Sequence, residues 1–330
     1  MVLKRPSVKF GWVCTIGFAM LAQSGVAGAQ ETTSKKIEEP IFRVSKLVEN
    51  ETPETKRNTE STNNVKPAAA KVASATLPKV AAPESVAPEA APHPLDPALD
   101  IAYSGLDNMV NNIHDYTATM VKREALNGRV GDQEYINVKV RNDRELDGDK
   151  QPFSIYMKFL KPVAGREVIY VEGGNDGNML VYEPGLATGI RTHELKPDSW
   201  LAMRGNRHPI YEAGLENLVR RLITVAERDR EAGVCEVEFR ENAKINGRSC
   251  TMIQVTHPVR KDPYDFHKAQ VFIDDELQVP VRYAAYDWPV AEGKQPQLIE
   301  EYTYINIQLN VGLTDDDFDP ANDSYRFPGY

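Results

Sequence analysis

His257, Asp262, Asp265 and His267 stand close together and carry imidazole and carboxylate groups of the kind that ligate a divalent metal. They cluster around Pro258 and Pro263, however, so an inter-strand loop is the simpler expectation. A second acidic run, Asp315-Asp-Asp-Phe-Asp319, resembles a calcium loop but fails its pattern. Pro320 stands where the sharp turn needs glycine, and Arg326 where a bidentate glutamate belongs. It reads as an acidic surface turn. Arg207 and His208 lie in a loop before a helix, where they could meet a ligand head group or fix the loop to that helix. There is no G-x-S-x-G, P-loop, H-E-x-x-H or dinucleotide fingerprint. The expectation is a non-enzymatic protein with no metal and no cofactor.

The apolar residues carry more information. In Phe153-Ser-Ile-Tyr-Met-Lys-Phe159, alternate residues are Phe, Ile, Met and Phe, the period of a strand with one apolar face. Met120, Met157, Phe159, Ile169, Val171 and Phe272 occupy such positions and are the candidates for lining a ligand cavity. They would equally serve a filled core. Methionine adapts to varied apolar shapes, which suits a cavity.

These side chains need elements to hold them. Asp96, read as an N-cap, and Pro97 at N1 open an amphipathic helix through Leu99, Leu106, Met109 and Ile113 that ends near His114. From Tyr116 the period changes to two. Strands are predicted around 116–121, 136–141, 153–162, 165–171, 178–184 and 189–195, with residues 198–211 irregular. A second helix runs from Gly214 to about Arg230 on the stripe Leu215, Leu218, Val219, Leu222, Ile223. Strands over 234–240, 248–257, 268–274, 279–287 and 298–309 complete the chain. The pattern of helix, six strands, helix, five strands is α+β: a curved antiparallel sheet of about 11 strands forming an unclosed half-barrel, with helices on its concave side.

The N-terminal region belongs outside this fold. Lys4, Arg5 and Lys9 precede a short apolar run from Phe10 to Ala22, and Ala27-Gly-Ala29 is a cleavage signal. Residues 1–29 therefore read as a signal peptide, and the protein as exported to a periplasmic or extracellular space. Cys14 lacks the small residues of a lipid-attachment box. Residues 30–94 read as a disordered, Ala/Pro-rich linker whose composition cannot offset its ordering entropy. Within it, Ile41-Phe-Arg-Val-Ser-Lys-Leu-Val48 reads either as a short docking helix or as solvated tail. Residues 95–330 form the folded domain.

The chain has 39 Lys+Arg against 48 Asp+Glu, a net charge of −9, and the acidic excess lies in the folded domain. That balance argues against nucleic acid as a partner, and the composition argues against a membrane-integral protein. Two cysteines, Cys235 and Cys250, remain after signal cleavage and predict one disulfide in an oxidising compartment. A four-residue loop at Glu241–Lys244 would set them opposite each other. A tighter turn at Asn246-Gly247 would set them far apart.

Several segments together resemble the LolA/LolB-type lipoprotein-carrier superfamily: the signal peptide, the leading helix, the strand-turn-strand of Gly165–Val171 with Met179–Pro184, and the curved sheet. Within it the chain is most similar to an exported bacterial domain of unknown function. That similarity rests on Arg207-His-Pro-Ile210 with Gly214-Leu215, Gly247-Arg248 with Cys250, His257-Pro258, Val279-Pro-Val-Arg-Tyr283, and Gly312-Leu-Thr-Asp315. The resemblance implies an unclosed barrel whose cavity takes acyl chains. The expected function is binding of a hydrophobic or lipid-like ligand; the alternative is a cell-envelope module with a filled core that binds an envelope protein.

Overall fold

The computed structural model describes residues 42–43, 92–146, 148–185 and 192–330. The signal-peptide and linker assignments lie outside these residues, apart from Phe42-Arg43 and Pro92–Pro94. Those first two residues form a strand, β1 (Phe42–Arg43), not a helix. The rest follows in chain order: α1 (Asp96–Asn112), β2 (Asp115–Leu126), β3 (Arg129–Val130), β4 (Glu134–Arg141), β5 (Arg144–Leu146), β6 (Asp149–Gln151), β7 (Ser154–Lys161), β8 (Glu167–Val171), β9 (Met179–Tyr182) and β10 (Thr192–Leu195). After these come α2 (Trp200–Met203), α3 (Leu215–Ala232), β11 (Glu236–Ile245), β12 (Arg248–Thr256), β13 (Lys268–Asp274), β14 (Pro280–Tyr286) and β15 (Leu298–Leu309).

The predicted α+β architecture is present. One antiparallel sheet runs in the order β1-β11-β12-β13-β14-β15-β2-β4-β7-β8-β9-β10, with β3 appended to β2 and β5–β6 a separate hairpin. Its two ends do not pair, so the barrel is open. The chain's last strand joins its first long one: Tyr304 lies opposite Met120 in the β15–β2 ladder.

Alternation along the central strands sorts residues to two faces. Tyr116, Met120, Ile136, Val140, Ile155 and Met157 are buried on the concave face with Leu215, Val219 and Ile223 of α3 and Leu99 and Met109 of α1. Gly214 opens α3 at φ 107°, a conformation that glycine alone adopts readily. A Cβ there would come 3.4 Å from the Tyr116 hydroxyl oxygen, which accepts the Leu215 N–H at 2.9 Å. The helix is thus tied to β2 where it enters the half-barrel.

Two local expectations are corrected. Asp96 is not an N-cap but the first residue of α1. Its carboxylate accepts from Arg230 at 2.6 Å and from the His93 N–H at 2.7 Å, clamping α1 to α3. Residues 200–203, read as irregular, form α2. Its first turn is capped by the Ser199 hydroxyl, which accepts the Ala202 N–H at 3.4 Å.

Candidate functional site

Between the concave face and α3 lies a cavity of about 760 Å³. Its floor comes from central strands: Met120, Ile136, Met157, Phe159, Val168 and Met179. Its roof is Leu218, Leu222 and Val225 of α3 together with the 201–214 segment. A flat sheet would leave no such space; curvature under a single long helix does.

Three of the six lining candidates, Met120, Met157 and Phe159, meet in this cavity. The other three do not. Ile169 is on the convex face, buried with Tyr156 and Leu180 against Phe318 and Phe327, and Val171 packs against that same cluster. The C-terminal segment straps this face. Tyr325 stacks on Tyr156 at 4.0 Å, the Arg326 N–H donates to Glu167 at 2.9 Å, and Asp315 and Asp317 pair with Arg141 and Lys139, each at 2.7 Å. The acidic run is therefore a latch. Phe272 is buried on the face opposite Val271, across from Arg282, whose guanidinium sits 5.1 Å from its ring centre.

One wall of the cavity is polar, and Arg207 and His208 are part of it. Arg207 Nε reaches Glu300 at 3.2 Å, and its backbone N–H donates to Glu124 at 3.0 Å. His208 Nε2 lies 2.6 Å from Glu300, and Nδ1 lies 3.3 Å from Glu212. Arg221 of α3 adds its charge 3.8 Å from Glu300. Lys122 donates to Asn206 at 2.6 Å and pairs with Glu134 at 3.1 Å. The Tyr302 hydroxyl donates to Glu124 and lies 3.3 Å from Glu300. Both candidate head-group residues thus also fix their loop to β15 and β2.

Burial alone would push the Glu300 carboxyl up, but His208, Arg221 and Arg207 outweigh it and hold the group below the usual carboxylate range. Tyr302 goes the other way: burial, then the Glu300 and Glu124 charges, raise its hydroxyl well above the ordinary value. The wall is a standing array of charges beside an apolar floor.

Sequence reasoning missed Lys122, Glu124, Glu300 and Tyr302. A signal was present. Lys122 and Glu124 keep the strand parity of Met120, and Glu300 and Tyr302 keep that of Tyr304, so charge sits on the apolar face of two strands that prove to be neighbours.

The histidine cluster does not assemble. His257 is fully buried, stacked on Tyr264 at 3.9 Å and 3.4 Å from Asp229. Burial lowers the imidazole and raises the Asp229 carboxyl. Asp265 pairs instead with Arg228 at 2.8 Å. Among the described residues no group of His, Cys, Asp and Glu is placed to hold a metal, and no helix is long and apolar enough to cross a membrane.

The predicted disulfide is absent: Cys235 and Cys250 are buried free thiols. The turn is at Asn246-Gly247, with φ of 49° and 84°, so Cys250 faces Ala243. Cys235 precedes Glu236, which faces Thr256, six residues along β12 and so roughly 20 Å from Cys250.

A family model described as "Protein of unknown function (DUF1571)" matches residues 113–327, in line with the expected domain of unknown function. No curated protein matches the sequence. Among solved structures, similarity extends to the lipoprotein LppX of Mycobacterium tuberculosis at 16% identity, covering 68% of this chain and 100% of that one with a TM-score of 0.36. A LolA superfamily protein of Nitrosomonas europaea matches at 9% identity, over 67% of this chain and 97% of that one, with a TM-score of 0.26. A DUF1329 family protein of Desulfovibrio piger matches at 15% identity, over 69% and 98%, with a TM-score of 0.33.

Proposed function

We propose that this chain, which belongs to the DUF1571 family, is a non-enzymatic, extracytoplasmic binder of a hydrophobic or lipid-like ligand. The observation that carries the reading is the 760 Å³ cavity with an apolar floor. Its volume is that of a ligand site, roughly 300–1,000 Å³, rather than of a packing defect. The polar wall suits an amphiphile, whose chain would lie over Met157 and Phe159 while its head meets Arg207, His208 and Lys122. The buried carboxylates in that wall already engage these cations, so a head group would bind by joining the network or by displacing part of it.

The test is uptake of a fluorescent fatty-acid probe by delipidated protein. Saturable binding is expected, with affinity lost in Met157→Asp and Phe159→Asp, which put a charge on the floor. No saturable uptake would overturn the reading and leave the envelope-protein module in its place. The same proposal makes residues 1–29 an export signal and 30–94 a tether. Protein isolated from its host should then begin at Gln30, which N-terminal sequencing reads directly.

A further inference from the structure

A second cavity, of about 480 Å³, lies under α1. It is bounded by Leu99 and Met109 of α1, Val219 of α3, and Val255, Val271 and Ile273 of the sheet. It is not isolated from the first. Leu222, Val225 and Phe266 line both cavities, one side chain deep between them.

The two cavities differ in chemistry. The side chains able to hold a head group, Lys122, Arg207 and His208, are all in the first. The second is mostly hydrocarbon and carries no cationic side chain. Its polar lining is Asp100, Ser104, Asn108, Asp229 and Gln278, with no lysine, arginine or histidine among them, and Asp229 is already held by Arg228 at 2.8 Å. An anionic head group therefore finds no cation there, whereas an alkyl chain finds apolar surface to bury.

The partition adjoins the polar wall. Leu222 follows Arg221, which reaches Glu300, and Tyr283 in the first cavity stacks against Tyr302 at 6.5 Å. A head group at that wall would sit beside the crest separating the two apolar spaces.

Gly105 adds an independent observation. It lies inside α1, where glycine is a poorer helix former than alanine. A Cβ there would meet nothing within 4 Å, and Gly105 lines this cavity. The helix is thinned at a position on the cavity's edge, where a larger side chain has room.

We propose that the second cavity takes the second chain of a two-chain amphiphile whose head group and first chain occupy the first cavity. This rests on the ligand-binding reading above. It makes the partition residues Leu222, Val225 and Phe266 the point where the chains diverge.

The experiment compares a pyrene-labelled fatty acid with a phospholipid carrying the same labelled chain, binding to the full mature protein. Wild type should prefer the phospholipid. Gly105→Trp should cut that preference at least about tenfold, since each methylene denied burial weakens binding several-fold. Gly105→Leu, smaller and a good helix former, should cut it less, and both variants should melt as wild type does or higher. An unchanged preference in Gly105→Trp, or equal affinity of wild type for the two probes, overturns the inference while leaving single-chain binding intact. Failure of wild type to bind either probe overturns the ligand-binding reading, and this inference with it.

Discussion

His208 Nε2 lies 2.6 Å from a carboxylate oxygen of Glu300, joining the loop that roofs the first cavity to the strand at its wall. The Glu300 side chain is only 4% exposed, yet His208, Arg221 and Arg207 hold its carboxyl below the usual range. A group with a depressed folded pKa stabilises the fold above its ordinary value and loses that contribution as the pH falls. Glu300 should therefore contribute fully at neutral pH and fade as the pH drops below about 4.5. Glu300→Gln is expected to cost about 1–3 kcal/mol at pH 7, because it takes the carboxylate from the half-buried Arg207, Arg221 and His208 and weakens their hold on the loop. It should also flatten the acid limb of a melting temperature–pH curve. Equal acid limbs for wild type and variant would show that the network does not hold the roof.

Ile169 and Phe159 lie on opposite faces of the same sheet, and their substitutions should separate stability from binding. Ile169→Ala empties the cluster under the C-terminal strap and is expected to cost about 2–4 kcal/mol in urea unfolding. Folded protein should still take up the fatty-acid probe. Phe159→Asp should do the reverse and remove uptake. Loss of uptake in folded Ile169→Ala would place the ligand on the convex face.

Cys235 and Cys250 should behave as inert core residues. Burial, followed by nearby carboxylates, pushes both thiols up to about 11, so little thiolate exists at neutral pH. A reductant should leave the melting temperature unchanged, and a thiol reagent should label both residues only as fast as the protein unfolds. A reductant-sensitive melt would restore the disulfide and with it the longer loop.

Gly214→Ala is expected to cost about 1–3 kcal/mol, since φ of 107° strains any side chain and the new methyl would press on the Tyr116 hydroxyl. Combining it with Tyr116→Phe should cost less than the two single changes added, because the second removes the atom the methyl meets. Strict additivity in urea titrations would mean that the helix entry relaxes elsewhere.

The long strands were legible in the sequence, though the short β1, β3, β5 and β6 were not, and so was the alternation that put Met120, Met157 and Phe159 together. Alternation gives two faces but does not say which is covered by what. Ile169 and Val171 were misplaced for that reason: Phe318 and Phe327, more than a hundred residues later, cover the convex face, and nothing local announces it. The cysteine register hung on a choice between two turns. The positive φ of both Asn246 and Gly247 decided it, as Asn-Gly chemistry favours. The polar wall was the hardest part. Glu124 and Tyr302 are 178 residues apart, and their meeting depends on a pairing between the ends of the domain.

That pairing has a kinetic consequence. The sheet runs from β15 directly into β2, so the strand made last is the one that bridges the two halves. Until Leu298–Leu309 is present, β2 has no partner on one flank and β14 none on the other, and each half shows a bare hydrogen-bonding edge. The contacts that join the halves are among the most distant in the chain, which places the domain among slow, high-contact-order folders. A chain still being synthesised would hold two sticky half-sheets and no cavity. The cavity then comes into being late, with the arrival of the final strand.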